Sequence, residues 1–218
     1  MAKGGKKTRD KVLDAAQERI IRFGYAGTSI DHVIEAVGVT KGTFFYYFKS
    51  KADLAAALIE RYATQDRALL QGTMGRAEQL SSDPLHQLLI FCALLAETLD
   101  QQDLENPGCL FASFAYESGH FEPPVLEIVK ESTTLWRSRL SEKLRKVAAS
   151  RPPKVEVDIE ALADMLTVLV EGAYVMARST HEPGLFGRQM THYLNYLELL
   201  FSAKEAPQAP VPQPPAAV

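Results

Sequence analysis

An all-α fold follows from three features of this 218-residue sequence. Apolar residues recur at three- and four-residue spacings, small polar residues able to cap a helix stand just before those stripes, and no stretch alternates as a strand would. Apolar residues make up 46% of the chain, ample for a buried core.

Thr8 is the expected cap of a first helix, carrying the stripe Val12, Ala16, Ile20 and Phe23 and ending at Gly24. Residues 1–7 before it read as a disordered basic arm, either solvated or resting on phosphate. Ser29 caps a second helix whose inner face is Ile30, Val33, Ile34 and Val37, and Gly38 permits a turn. Thr40 caps a third helix through about Tyr47, and Ser50 caps a long fourth with Leu54, Leu58 and Tyr62 inward. Asp83-Pro84 opens another helix, with a capping acid followed by proline at the first position. Pro107-Gly108 breaks the chain before a short helix, Cys109 to about Gly119. Pro123-Pro124 starts one reaching about Ala149, Arg151-Pro152-Pro153 stops it, and two apolar helices follow over roughly 157–180 and 185–203. The organisation expected is an arm (1–7), a three-helix helix-turn-helix domain (8–54), a larger helical domain (55–203) entered through the fourth helix, and a disordered Pro/Ala-rich tail (204–218).

Charge is distributed unevenly. Net charge is −3, but residues 1–62 carry +4 and the remainder −7, a basic head on an acidic body that suits contact with a polyanion at one end. Two cysteines, Cys92 and Cys109, make no disulfide framework and fit a reducing compartment. No apolar run approaches a membrane span and no signal-peptide pattern is present, so a cytoplasmic protein without membrane contact is expected.

The densest chemistry lies in Thr40-Lys-Gly-Thr-Phe-Phe-Tyr-Tyr-Phe48. Five consecutive aromatics on a short helix cannot all face one side. Phe44 and Phe48, one turn apart, can point inward, leaving Lys41, Gly42, Phe45 and Tyr46 elsewhere. Lys41 suits base edges or phosphate, Gly42 allows close approach to a groove, and Phe45 and Tyr46 offer flat apolar surface to thymine methyls. The hydroxyls of Thr43 and Tyr47, the Lys51 ammonium and the capped start of the fourth helix are suitable phosphate donors. Thr40, at the cap, belongs to the same set.

These residues, with Thr28-Ser-Ile30, Ala36-Val-Gly-Val39 and Lys49-Ser-Lys-Ala-Asp-Leu54, closely resemble the head of the TetR family of one-component transcriptional regulators over about residues 8–67. The resemblance implies that the third helix enters the major groove of double-stranded operator DNA, with groove contacts from Lys41, Gly42, Thr43, Phe45 and Tyr46. It implies backbone contacts from Ser29, Tyr47 and Lys51. Two departures stand out: position 45 is most often tyrosine in relatives, and Phe45 lacks its hydroxyl; Ala36-Val37 replaces the common Ala-Ala or Ala-Gly.

A head this small needs a two-fold partner for useful specificity. The last two helices carry Leu162, Leu166 and Leu169, then Tyr193, Leu197, Leu200 and Phe201, more apolar surface than one stripe requires. They are candidates for a homodimer interface, which the resemblance favours, or for a purely internal pair. The resemblance also implies a cavity in the body for a small-molecule effector, with Phe91, Cys109, Phe111, Phe114, Trp136, Glu171 and Tyr174 as candidate lining; ordinary core packing is the alternative for each. Cys109, after Pro-Gly at a helix start, is a candidate for a lowered thiol pKa and an electrophile- or redox-sensing role; a buried small apolar residue is the alternative.

No catalytic signature is present. Glu117-Ser-Gly-His120 is a single copy of the pair that a di-iron bundle needs twice, and no cofactor or metal is expected. The expectation is a homodimeric repressor released by an effector, not an enzyme. A helical protein-interaction module is the other reading, and Lys41-Gly42 beside Tyr46-Tyr47 argues against it.

Overall fold

The computed structural model describes residues 3–101, 107–182 and 184–202, with side chains from residue 7 onward. Among them are nine α-helices and no strand: α1 Lys3–Phe23, α2 Ile30–Val37, α3 Lys41–Tyr47, α4 Lys51–Leu80, α5 Pro84–Asp100, α6 Leu110–Tyr116, α7 Pro123–Ser150, α8 Ile159–Thr180 and α9 Leu185–Phe201. A single 3₁₀ turn, Ser118–His120, follows α6. The tail expected over 204–218 lies outside the described residues.

Most predicted caps are made. Ser29 Oγ accepts the His32 amide at 3.1 Å, and His32 Nδ1 accepts the Ser29 amide in return. Thr40, Ser50 and Asp83 accept from Thr43, Asp53 and His86 respectively. Gly38 takes the left-handed conformation (φ 70°) that the α2–α3 turn demands. The first helix departs from expectation. It begins at Lys3, so residues 3–7 of the expected arm are helical and Thr8 is interior rather than a cap. Gly4-Gly5 weakens this first turn, but no proline stands between Lys3 and Thr8 to stop the helix that the stripe Val12, Ala16 and Ile20 anchors.

Two apolar cores form. The body core joins α4, α5, α7, α8 and α9 around Leu88, Phe91, Leu144, Leu166 and Tyr193. The head core joins α1–α4 around Val12, Val33, Phe44, Phe48 and Leu58, and it also takes in Leu110 and Phe114 of α6 and Val125 of α7. The boundary expected at 54/55 therefore crosses an unbroken α4, and α6 belongs as much to the head as to the body.

Three polar side chains pin the end of α1 and the turn after it. The Tyr25 and Ala26 amides donate to the Glu117 carboxylate at 2.6 and 2.8 Å, from the end of α6. Lys51 Nζ donates to the Tyr25 carbonyl at 2.6 Å. Arg178 of α8 donates to the Ile21 and Arg22 carbonyls, a cation at the carbonyl end of α1 where it is favoured. Gly24 sits at φ 77°, where a side chain is strained, and a Cβ would lie 2.6 Å from Glu117 Oε1 and displace that carboxylate.

Candidate functional site

Helix α3 presents two different faces. Phe44 and Phe48 are 0% and 1% exposed, packed ring to ring with centroids 5.8 Å apart. Arg9 of α1 lies over the Phe48 ring. On the opposite side Lys41, Gly42, Phe45 and Tyr46 are exposed, Tyr46 to 72%, while Thr43 and Tyr47 are half-buried. This is the division the aromatic run predicted. Lys41 Nζ meets Asp31 Oδ1 of α2 at 2.9 Å, but both side chains are about two-thirds exposed (69% and 68%), so this pair holds Lys41 weakly. A Cβ on Gly42 would meet only Thr40 Oγ1, at 3.8 Å. Nothing within the protomer requires that glycine.

The other expected phosphate donors divide. Ser29 is exposed but its hydroxyl is engaged as the α2 cap, and Thr40 likewise caps α3. Lys51 does not reach outward. Its ammonium is held on the Tyr25 carbonyl and lies 4.0 Å from the centre of the Tyr25 ring, and burial lowers its pKa against the opposing pull of Glu117. Lys49, which the sequence did not single out, is the exposed cation beside it.

The second site is a cavity of about 120 Å³ enclosed by α4, α5, α6, α7 and α8. Cys109, Phe111, Trp136, Glu171 and Tyr174 line it as expected. Phe91 and Phe114 do not: Phe91 is buried in the body core, and Phe114 stacks on Phe121 at 4.1 Å inside the head core. Sequence reasoning missed Tyr62, Asp66, Leu69, Leu95, Leu99, Thr133, Thr167 and Val170, and Leu166 faces the cavity rather than a partner. The one available signal was helical register, since Tyr62, Asp66 and Leu69 follow at four and three residues along α4. Asp66 Oδ2 accepts the Trp136 indole N–H at 2.8 Å, tying α4 to α7 across the wall.

Of the two readings of Cys109, the structure supports the buried residue over the activated thiol. Cys109 does stand at the start of α6, but burial, reinforced by the Glu171 carboxylate to which it is hydrogen-bonded, drives its thiol pKa up. Burial outweighs the terminus of a seven-residue helix, and the thiol is held protonated. Cys92 is fully buried, and its thiol is likewise pushed up. Glu117 of the Glu-x-x-His pair is spent on the Tyr25 and Ala26 amides. Among the described residues, no three His, Cys, Asp or Glu side chains converge as metal ligands would.

The residues read as interface are placed inward. Leu162, Leu166, Tyr193, Leu197, Leu200 and Phe201 are buried in the protomer's own core and Leu169 packs at its edge. The uncovered apolar side chains of the same helices are Met165, Val168, Val175 and Met176 of α8 with Tyr196 and Leu199 of α9. Both helices are apolar on two faces, and periodicity alone does not tell which face is inner.

Residues 12–58 match the family model of the bacterial TetR regulatory proteins, and residues 84–193 match that of the tetracyclin repressor-like C-terminal domain, which covers half of the chain. The chain belongs to the TetR family. The transcriptional regulator AcuR of Cereibacter sphaeroides is 27% identical over 177 residues, spanning 79% of this chain and 77% of that one. A TetR regulatory protein of Rhodobacter sphaeroides superposes with a TM-score of 0.71 at 25% identity, covering 86% of this chain and 97% of its own. A TetR-family regulator of Agrobacterium tumefaciens gives 0.73 at 25% identity, covering 88% and 98%. This TetR-family chain is accordingly a transcriptional regulator with a DNA-binding helix-turn-helix, and the relatives it resembles are regulators rather than enzymes. No helix among the described residues is long and apolar enough to cross a membrane.

The two faces of α3 separate fold from surface. Phe44→Ala should destabilise the head by about 3–5 kcal/mol, the cost of emptying a buried aromatic site. Tyr46→Ala should change stability by no more than about 0.5 kcal/mol. Chemical denaturation of the two variants checks both.

Proposed function

We propose that this regulator is a homodimeric repressor working in the cytoplasm, released from a palindromic operator by a small molecule bound in the body cavity. The observation that carries the DNA side of this reading is the outward face of α3: an exposed cation, a glycine the fold does not need and two exposed aromatic rings, on a helix whose other face is locked by Phe44 and Phe48. Such a face can enter a major groove closely, Lys41 meeting base edges or phosphate and Tyr46 and Phe45 meeting thymine methyls. Thr43 and Tyr47, at its margin, and Lys49 beside it supply phosphate contacts. Lys51 joins them only by giving up its hold on Tyr25.

Two heads are brought together by the uncovered apolar faces of α8 and α9, Met165, Val168, Val175, Met176, Tyr196 and Leu199, which in water would be a liability on a monomer. Pairing them about a two-fold axis gives a bundle of four helices and two heads suited to a two-fold operator.

Helix α6 supplies the link between cavity and DNA. Cys109 and Phe111 at its first end line the cavity, and Glu117 at its other end holds the α1–α2 turn. Seven helical residues span about 10 Å. A ligand that displaces Phe111 or Tyr62 therefore moves the head as a unit and changes the distance between the two recognition helices. Release requires that the ligand bind this altered spacing more tightly than the operator-bound one.

Three outcomes are expected. Gly42→Ala should leave the fold as stable or firmer by up to about 1 kcal/mol, yet weaken operator binding about tenfold by holding the helix away from the bases; a gel shift on the DNA upstream of its own gene, paired with a melting curve, reads both. Unchanged operator binding would remove the close-approach role of α3. Val168→Asp should turn a dimer into a monomer in sedimentation at micromolar concentration and cut operator affinity by at least about tenfold. Glu117→Ala, which orphans two amides, should cost about 2–3 kcal/mol and split a single calorimetric transition into separate head and body transitions; one unsplit transition at the original temperature would remove α6 as the link.

A further inference from the structure

The charge of the cavity wall says something about the molecule it takes. Two carboxylates, Asp66 and Glu171, stand among its lining residues, and none of the lining residues is Lys, Arg or His. Both carboxyls have raised pKa values because burial penalises their charged forms, against a hydrogen bond from Trp136 in one case and from Cys109 in the other. Thr133 and Thr167 apart, the remaining walls are largely apolar and rich in rings, with Tyr62, Phe111 and Trp136 on three different elements. An anion placed here would face two like charges in a medium that screens them poorly, and no cation on the wall to offset them. A positive charge would relieve the burial penalty of both acids and could lie against ring faces at the same time. A cavity of about 120 Å³ is somewhat smaller than the roughly 150 Å³ that takes a benzene ring, so it suits a compact molecule of a few heavy atoms.

We propose that the cavity is selective for a compact hydrophobic organic cation, its charge set against Glu171 and Asp66 and its apolar body against Tyr62, Phe111 and Trp136. This deepens, and rests on, the reading of the cavity as the effector site. Selectivity follows from what the wall lacks as much as from what it holds: hydrophobic burial is available to a ligand of any charge, whereas only a cation gains from the acids. The hydrogen bond between Asp66 and Trp136 fixes one acid at the wall, so the site is arranged before the ligand arrives.

Trp136 is the only tryptophan in the chain, so intrinsic fluorescence reports directly from the cavity. The full-length protein is titrated with tetramethylammonium, with tert-butanol as a neutral counterpart of like size, and with trimethylacetate as the anion. The cation should bind at least about tenfold more tightly than the neutral probe, and the anion more weakly than either. Glu171→Gln should lower cation affinity about tenfold while tert-butanol binding stays within about twofold, the latter confirming that the cavity is intact. Asp66→Asn, which keeps an acceptor for the Trp136 indole, serves as the second variant and should reduce the cation's advantage in the same direction. Neutral or anionic probes binding as tightly as the cation would overturn the charge assignment and leave the effector reading standing, as would an unchanged cation preference in both variants. If all three probes leave Trp136 unaffected at millimolar concentration, the effector reading of the cavity fails together with the proposal.

Discussion

Burial of Leu110 and Phe114 within the head's own core is the constraint on which the remaining architecture rests. Both side chains are fully buried, and each contributes on the order of 2 kcal/mol relative to exposure. They come from α6, a helix more than fifty residues beyond the end of α3. Because they are committed to the head, α6 cannot drift with the body, and its first turn is left to form a wall of the cavity. The polar contacts of Glu117 and Arg178 then fix orientation where the apolar contacts fix proximity. Head and body are thus joined at four places: through the continuous α4, through α6, through Val125 of α7, and through α8 at the end of α1.

The thiol at Cys109 illustrates how two local rules compete. A helix start favours the thiolate by about 0.3–1 kcal/mol at ordinary exposure, whereas full burial can shift a titration by about 3–5 pKa units, several times as much. With a carboxylate as its neighbour rather than a cation, only the Phe111 and Ala112 amides favour the charged form, and burial outweighs them. The same desolvation acts on Tyr62, whose hydroxyl lies 4.0 Å from the Cys109 sulfur and whose pKa is driven well up. The cavity is therefore a place where burial penalises ionised side chains until a ligand supplies the opposite charge.

Much of the head was legible because its signals are local. Ser29, Thr40, Ser50 and Asp83 each cap the helix they precede, and spacing alone divides Phe44 and Phe48 from Phe45 and Tyr46. What was illegible is long-range. The Glu117–Tyr25 contact joins residues 92 positions apart, and no pattern in either segment marks it. Phe114 looked like a cavity residue because aromatic character says nothing about which of two cores a ring enters. Leu162, Leu166 and Leu197 lie on helices with apolar residues on two sides, so composition announced surplus surface without saying which side faced out. The early start of α1 was hidden because a helix can run backward from an anchored stripe without any cap to announce it.

Gly24 and Glu117 form a matched pair: one has no room for a methyl group because the other fills that space, and the carboxylate in turn satisfies the amides of the turn that the glycine makes possible. A portable reading head cut from this chain after α4 would leave those amides without their acceptor, strip two apolar plugs from its interior and open a hydrophobic hole to water. Chimeras that graft this recognition helix onto a foreign body must therefore carry the stretch from Gly108 to Phe121 along with it, or rebuild its equivalent. The unit of inheritance for specificity is discontinuous in sequence, although it is contiguous in space.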